Sequence, residues 1–120
     1  MILSVTPELT AELYDPLTGI FVPTANMTVG RIGYTATLLP DGTVLISGGF
    51  KDFVGLRVST GYESYSSAEL YDPAAASFTT IGQMNAGRFW HSATLLPNGT
   101  VLVTGGIGED LPLASAEIYK

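Results

Sequence analysis

Three arginines, one histidine and a scatter of carboxylates are the residues of this 120-residue chain best equipped for chemistry. Arg31 and Arg88 each follow a glycine, and Glu12, Glu69 and Glu117 each sit in an Ala-Glu-Leu or Ala-Glu-Ile step. Recurrent opposite charges have two readings: charges displayed for a ligand, or a repeated Arg–Glu bridge or carbonyl cap that holds the framework together. Copied sites are more often architecture than chemistry, so the second reading is favoured. His91 is the only histidine, and the residue 57 positions earlier is Tyr34. One histidine without cysteine cannot build a typical zinc or copper site, and a catalytic histidine needs a partnered nucleophile or metal. His91 is therefore expected to be structural. Asp41, Asp52, Glu109 and Asp110 fall in turns and loops without EF-hand spacing, and Glu109-Asp110 reads as a solvated acidic tip. Gly105-Gly106-Ile107-Gly108 lacks the lysine and helix of a phosphate loop. Asn26-Met27-Thr28 and Asn98-Gly99-Thr100 match the glycosylation sequon only weakly, the second lying in a tight turn. No catalytic residue, metal ligand or cofactor is expected.

Composition narrows the class further. A net charge of −6 with only five lysines and arginines leaves no basic stripe for nucleic acid or for an anionic membrane surface. The apolar share of 46% argues for a packed core, while 14 glycines and seven prolines argue for many short elements divided by turns. Absent cysteine leaves the redox compartment open. The start, MILSVTPEL, lacks a basic n-region, and no apolar run reaches bilayer length. A soluble chain without signal peptide is the expectation.

The elements that must position these residues are written twice. TATLLPDGTVLISGG (35–49) returns as SATLLPNGTVLVTGG (92–106), and AELYDP at 11–16 returns at 68–73. Gly30-Arg31 and Gly48-Gly49 keep the same 57-residue offset to Gly87-Arg88 and Gly105-Gly106. A third copy of the shorter motif, AEIY at 116–119, arrives after only 48 residues, because one loop shortens from 18 residues (50–67) to nine (107–115). Each repeat reads as four strands. Residues 34–39 alternate threonine with small apolar residues. A Pro-Asp-Gly or Pro-Asn-Gly turn follows, with glycine in the left-handed position. Residues 43–47 form an apolar run suited to burial on both faces. Residues 68–71 place Ala68 and Leu70 on one face, Glu69 and Tyr71 on the other. A fourth strand at 78–81, matched by Phe21, suits a half-solvated edge. Residues 2–5 read as a remnant second strand.

Four short antiparallel strands, a Gly-Gly after the second and a period near 50 residues resemble the kelch repeat. The AELYDP and ATLLP-D/N-G-T-VL phrasing is similar to bacterial kelch repeats related to the central domain of galactose oxidase. The resemblance covers about 11–119. It implies an all-β, kelch-type β-propeller segment of little over two four-stranded blades: a partial blade at 1–27, a full blade at 28–84 and a partial blade at 85–120. It further implies that the strand after Gly-Arg is innermost and that Phe21 and Phe78 replace the family's outer-strand tryptophan. Arg31, Arg88, Glu12, Glu69, Glu117, Gly48, Gly49, Gly105 and Gly106 are then repeat-defining structural residues, with a ring of charges at the channel mouth as their alternative. Members of the family are often secreted or periplasmic. The copper site of galactose oxidase uses two tyrosines, two histidines and a cysteine cross-linked to a tyrosine, which this chain does not supply. An open arc of blades implies partners: the remaining blades of a longer parent chain, or copies forming a closed homo-oligomeric ring.

What differs between the copies is the best functional candidate. The 50–67 loop carries Lys51, Phe53, Arg57, Tyr62 and Tyr65, residue types that recognise ligands from rigid scaffolds. The resemblance places Arg31, Phe89 and Trp90 at the border of the same face. The expected function is a non-catalytic binding or scaffold module for a protein or glycan. A blade set of an oxidase or carbohydrate-active enzyme whose catalytic residues lie elsewhere, and a purely architectural segment, are the alternatives.

Overall fold

The computed structural model of the chain describes residues 9–51, 63–109 and 111–120, together with the backbone of 2–4. Among them are ten strands and no helix: β1 (Ile2–Ser4), β2 (Ala11–Asp15), β3 (Ile20–Pro23), β4 (Thr35–Leu38), β5 (Val44–Ser47), β6 (Ser67–Asp72), β7 (Ser77–Gln83), β8 (Ser92–Leu95), β9 (Val101–Thr104) and β10 (Ala116–Tyr119). They form three antiparallel sheets, ordered β1-β2-β3, β4-β5-β6-β7 and β10-β9-β8. The chain is all-β. β4 is a residue shorter at each end than the 34–39 the sequence suggests, and β5 a residue shorter at its start than 43–47. β6 and β7 extend beyond their expected ends, and their pairing slips at Ser67/Ala68.

Turn chemistry sets these boundaries. Gly42 and Gly99 close the two β-turns at φ +89° and +85°. In the first turn Asp41 accepts hydrogen bonds from the Thr43 hydroxyl (2.6 Å) and amide (3.0 Å), which hold its carboxyl below the usual range. Asn98 makes the same pair of bonds to Thr100, so its side-chain oxygen is engaged within the turn. At the end of β2 and of β6, Asp15 and Asp72 each accept an amide bond two residues on.

Cross-strand partners share a face, and this sorts the middle sheet. Leu45 pairs with Leu70 and Ser47 with Ala68, while Val44 pairs with Tyr71 and Ile46 with Glu69. The first face packs against the third sheet: Leu45, Ala68, Val101 and Val103 form the buried cluster, with Leu70, Ile81, Met84 and Tyr119 around it. The opposite face receives the segment arriving from the first sheet, where the Thr24 hydroxyl lies 2.7 Å from that of Tyr71. β5 is therefore covered on both sides, which explains its unbroken apolar run. β7 stays half-exposed, as an outer edge would.

Candidate functional site

Two buried arginines build the framework. Arg31 is 1% exposed and donates from Nε to Glu69 (3.0 Å), from Nη1 to the carbonyls of Gly48 (2.8 Å) and Ser67 (2.9 Å), and from Nη2 to the Ser67 hydroxyl (3.0 Å). Arg88 repeats this with Glu117, the Gly105 carbonyl (2.9 Å), the Ser115 carbonyl (2.8 Å) and the Ser115 hydroxyl (2.7 Å). The carboxylates accept an amide from the connector as well, Glu69 from Thr28 and Glu117 from Asn85. Every donor of the planar fork that these bonds use faces a fixed oxygen, which is why arginine and not lysine serves here. Burial alone would raise the Glu117 carboxyl, but the Asn85 amide and Arg88, with the Ala86 amide, hold it below the usual range. Each lock binds the connector from the preceding sheet onto the strand carrying its glutamate. Glu12, on β2, is exposed and belongs to neither lock.

Ser67 and Ser115 escaped the sequence reading, yet each gives the arginine both a carbonyl and a hydroxyl. Their signal was present: a hydroxyl residue precedes Ala-Glu in all three copies, as Thr10, Ser67 and Ser115.

His91 sits between the second and third sheets. Its Nε2 lies 2.9 Å from the Thr35 hydroxyl and 3.2 Å from that of Ser47, and those hydroxyls are 2.7 Å apart. Nδ1 is buried without a hydrogen-bond partner among the described residues. Burial, reinforced by the Arg88 charge, pushes the imidazole down to about 4, so it is neutral near pH 7. The ring joins two sheets through a hydroxyl pair, a structural arrangement. Among the described residues no cluster of histidine, cysteine, aspartate or glutamate could hold a metal ion.

The surface candidates divide. Phe53, Arg57 and Tyr62 lie outside the described residues, as do Asp52 and Asp110. Arg31 and Phe89 are buried, so neither presents a side chain to a ligand: the first is consumed by its lock, the second packs under Phe50 at 4.7 Å between ring centroids. Tyr65 is half-buried with its ring 5.2 Å from the Arg31 guanidinium carbon, and Lys51 is exposed. Trp90 is 61% exposed, edge-on to Phe89 (5.1 Å) and Phe50 (5.9 Å). The structure thus adds Phe50, a residue the sequence reading passed over, to the pair of Trp90 and Phe89. The stem of the long loop is ordered by main-chain bonds: Lys51 N–H donates to Glu63 and Tyr65 N–H to Gly49, with Phe50 bridging Ile32 and Ser64.

No protein-family model matches the chain, and no curated protein matches it. No helix among the described residues is long and apolar enough to cross a membrane.

Proposed function

We propose that the chain is a segment of a kelch-type β-propeller acting as a non-catalytic recognition scaffold, which meets a protein or glycan on the face bearing Trp90. The observation that carries this reading is the backbone of Trp90. Its φ is +53°, in the left-handed region that the corresponding Gly33 adopts at +70°. A bulky side chain in that region costs on the order of 1–2 kcal/mol. A residue held there while largely exposed contributes little core packing in return, the pattern expected where a side chain is kept for contact with something else. The aromatic support that Phe89 and Phe50 give the exposed indole suits a ligand with a flat apolar surface.

The propeller half of the proposal is supported by the repeated locks and by the two ends of the sheet stack. Tyr71 is fully buried in the middle sheet, while its counterpart Tyr14 is 41% exposed with its neighbour Phe21. At the far end Ile118 is 45% exposed where its counterpart Leu70 is partly covered. Such faces fit further sheets of the same kind, supplied by copies of the chain closing a ring or by the remaining blades of a longer parent chain.

Trp90 is the chain's only tryptophan, so its emission reads the site directly. A screen of glycans and peptides should find a ligand that shifts this emission and is lost in Trp90→Gly with the fold intact. Binding that leaves the emission unchanged and survives that substitution overturns the reading. Light scattering should give a multiple of the 12.6 kDa chain mass. A monomer that unfolds cooperatively overturns the ring.

A further inference from the structure

The turn between β8 and β9 is the amide version of the turn between β4 and β5. In the first copy Asp41 accepts from the Thr43 hydroxyl and amide. In the second, Asn98 accepts from the Thr100 hydroxyl at 2.6 Å and the Thr100 amide at 3.1 Å. One place in the repeat therefore holds a carboxylate in one copy and a carboxamide in the other, with the same two donors on its oxygen. The two groups differ as electrophiles. A carboxylate resists attack, and Thr43 favours the ionised form of Asp41 by holding its carboxyl below the usual range. The carboxamide of Asn98 is neutral, and its carbon is open to a nucleophile.

The nucleophile in reach along the chain is the next backbone nitrogen, that of Gly99. Glycine leaves the approach uncrowded: a Cβ there would meet only the Pro40 ring, at 3.7 Å. Asn98 is exposed, so water has access to the turn. The chain's two other asparagines, Asn26 and Asn85, are followed by Met27 and Ala86, whose side chains crowd the same closure. As the Gly99 nitrogen bonds to Asn98 Cγ, negative charge gathers on Oδ1, where both Thr100 donors already point. Donors fixed in advance at a developing oxyanion lower the barrier to its formation.

We infer that Asn98 is a self-modification site, at which the Thr100 hydroxyl and amide activate the carboxamide toward the Gly99 nitrogen to form a cyclic imide. A bond forms between Gly99 N and Asn98 Cγ, the Gly99 amide proton passes to water, and the Cγ–Nδ2 bond breaks. Nδ2 takes up a proton from water and leaves as ammonia. Water then opens the imide with no change of oxidation state. Addition at Cγ returns the original main chain with aspartate at this position. Addition at the Asn98 main-chain carbonyl carbon gives isoaspartate, with the chain running through Cγ.

The two products differ in what they do to the fold. Aspartate can accept from Thr100 as Asp41 does from Thr43, so the turn is kept. Isoaspartate adds a carbon to the main chain of the turn that sets Leu95 opposite Val101, a member of the buried cluster. One product is silent and the other loosens the β8–β9 hairpin. The site does not depend on the recognition role proposed above.

Trypsin cuts after lysine and arginine, and so delivers Asn26, Asn85 and Asn98 in separate peptides, 1–31, 58–88 and 89–120. Weeks of incubation of the folded chain at neutral pH should release ammonia and place the deamidation mass shift on 89–120, with isoaspartate detected by enzymatic carboxyl methylation. Thr100→Val should slow the reaction about tenfold in the folded chain, the effect of one hydrogen bond lost at the oxyanion, and Thr100→Ser should restore it. In urea the valine variant and the wild type should react alike. Asn98→Asp should keep the wild-type urea midpoint. No mass shift on 89–120, or an earlier one on 1–31 or 58–88, overturns the proposal. So does a folded Thr100→Val chain that reacts as fast as wild type, a serine variant that stays slow, or a tenfold difference that persists in urea. A lowered midpoint for Asn98→Asp overturns the silence of the aspartate product.

Discussion

Trp90 and Gly33 hold the same place in successive repeats, share the left-handed backbone region, and touch. The Trp90 amide donates to the Gly33 carbonyl at 2.8 Å, and a Cβ on Gly33 would lie 2.8 Å from the indole ring. The repeat places a left-handed residue at this point, glycine in the first copy and a bulky indole side chain in the second. The same substitution of pattern occurs at Ala76, φ +50°, which stands where the first copy has Gly19 at +73°.

These two positions separate conformational cost from function. Ala76→Gly should raise stability by about 1 kcal/mol, because it removes a left-handed alanine from a turn. Trp90→Gly should change stability by less than about 1 kcal/mol, the relieved backbone offsetting the lost ring contacts. Urea midpoints at constant m-value check both.

The locks should differ in cost when cut. Arg31→Ala leaves Glu69, which is fully buried, without its counter-charge, and should cost about 3–5 kcal/mol. Arg88→Ala should cost less, because the Glu117 side chain is 12% exposed and water can reach it. Arg31→Lys keeps the charge and loses the fork, so it should fall between wild type and Arg31→Ala. Equal losses at the two arginines in chemical denaturation would contradict this ordering.

Glycine substitutions should fall into two groups. A Cβ at Gly48 would sit 2.3 Å from the Arg88 carbonyl oxygen, and one at Gly106 would sit 2.6 Å from that of Phe89. At Gly42 nothing lies within 4 Å, so only the φ of +89° opposes alanine. Gly42→Ala should cost about 1–2 kcal/mol, and Gly48→Ala and Gly106→Ala on the order of 4 kcal/mol or more. Thermal midpoints of the three variants test the division.

His91 makes stability depend on pH in a defined window. Its folded value of about 4 lies below the ordinary 6.5, so the unfolded chain binds the extra proton between these values. Stability is therefore full above about 6.5, falls as the pH drops toward 4, and loses nothing further from this group below that. The depressed Glu117 carboxyl adds its own loss in more acid solution. His91→Gln should flatten the profile between pH 6.5 and 5, measured by urea unfolding across the range.

Much of the fold was legible because the chain states it twice. The 57-residue offset aligned the arginines, the glutamates, the turns and the paired glycines, and the apolar run at Val44-Leu45-Ile46 predicted a strand buried on both faces. The conformational demand at Gly33 and Trp90 was not legible, since aligning glycine with tryptophan reveals nothing of φ. Phe50 was hidden too, because its partners Phe89 and Trp90 lie far along the chain and meet only when the two Gly-Gly corners are stacked. His91 aligned with Tyr34, which concealed its tie to the Thr35–Ser47 hydroxyl pair of the neighbouring repeat. Contacts between repeats have no signature inside one.

The arginine locks have a consequence for how such a chain can change. Arg31 grips the carbonyls of Gly48 and Ser67, and Arg88 those of Gly105 and Ser115, so each clasps the two roots of a loop. One loop is twice the length of the other, yet both leave and rejoin the framework through the same bonds. The roots form a standard socket, and the segment plugged into it can be lengthened, shortened or exchanged without the sheets registering the difference. New binding surfaces can then be tried one loop at a time, with the cost of failure confined to the loop.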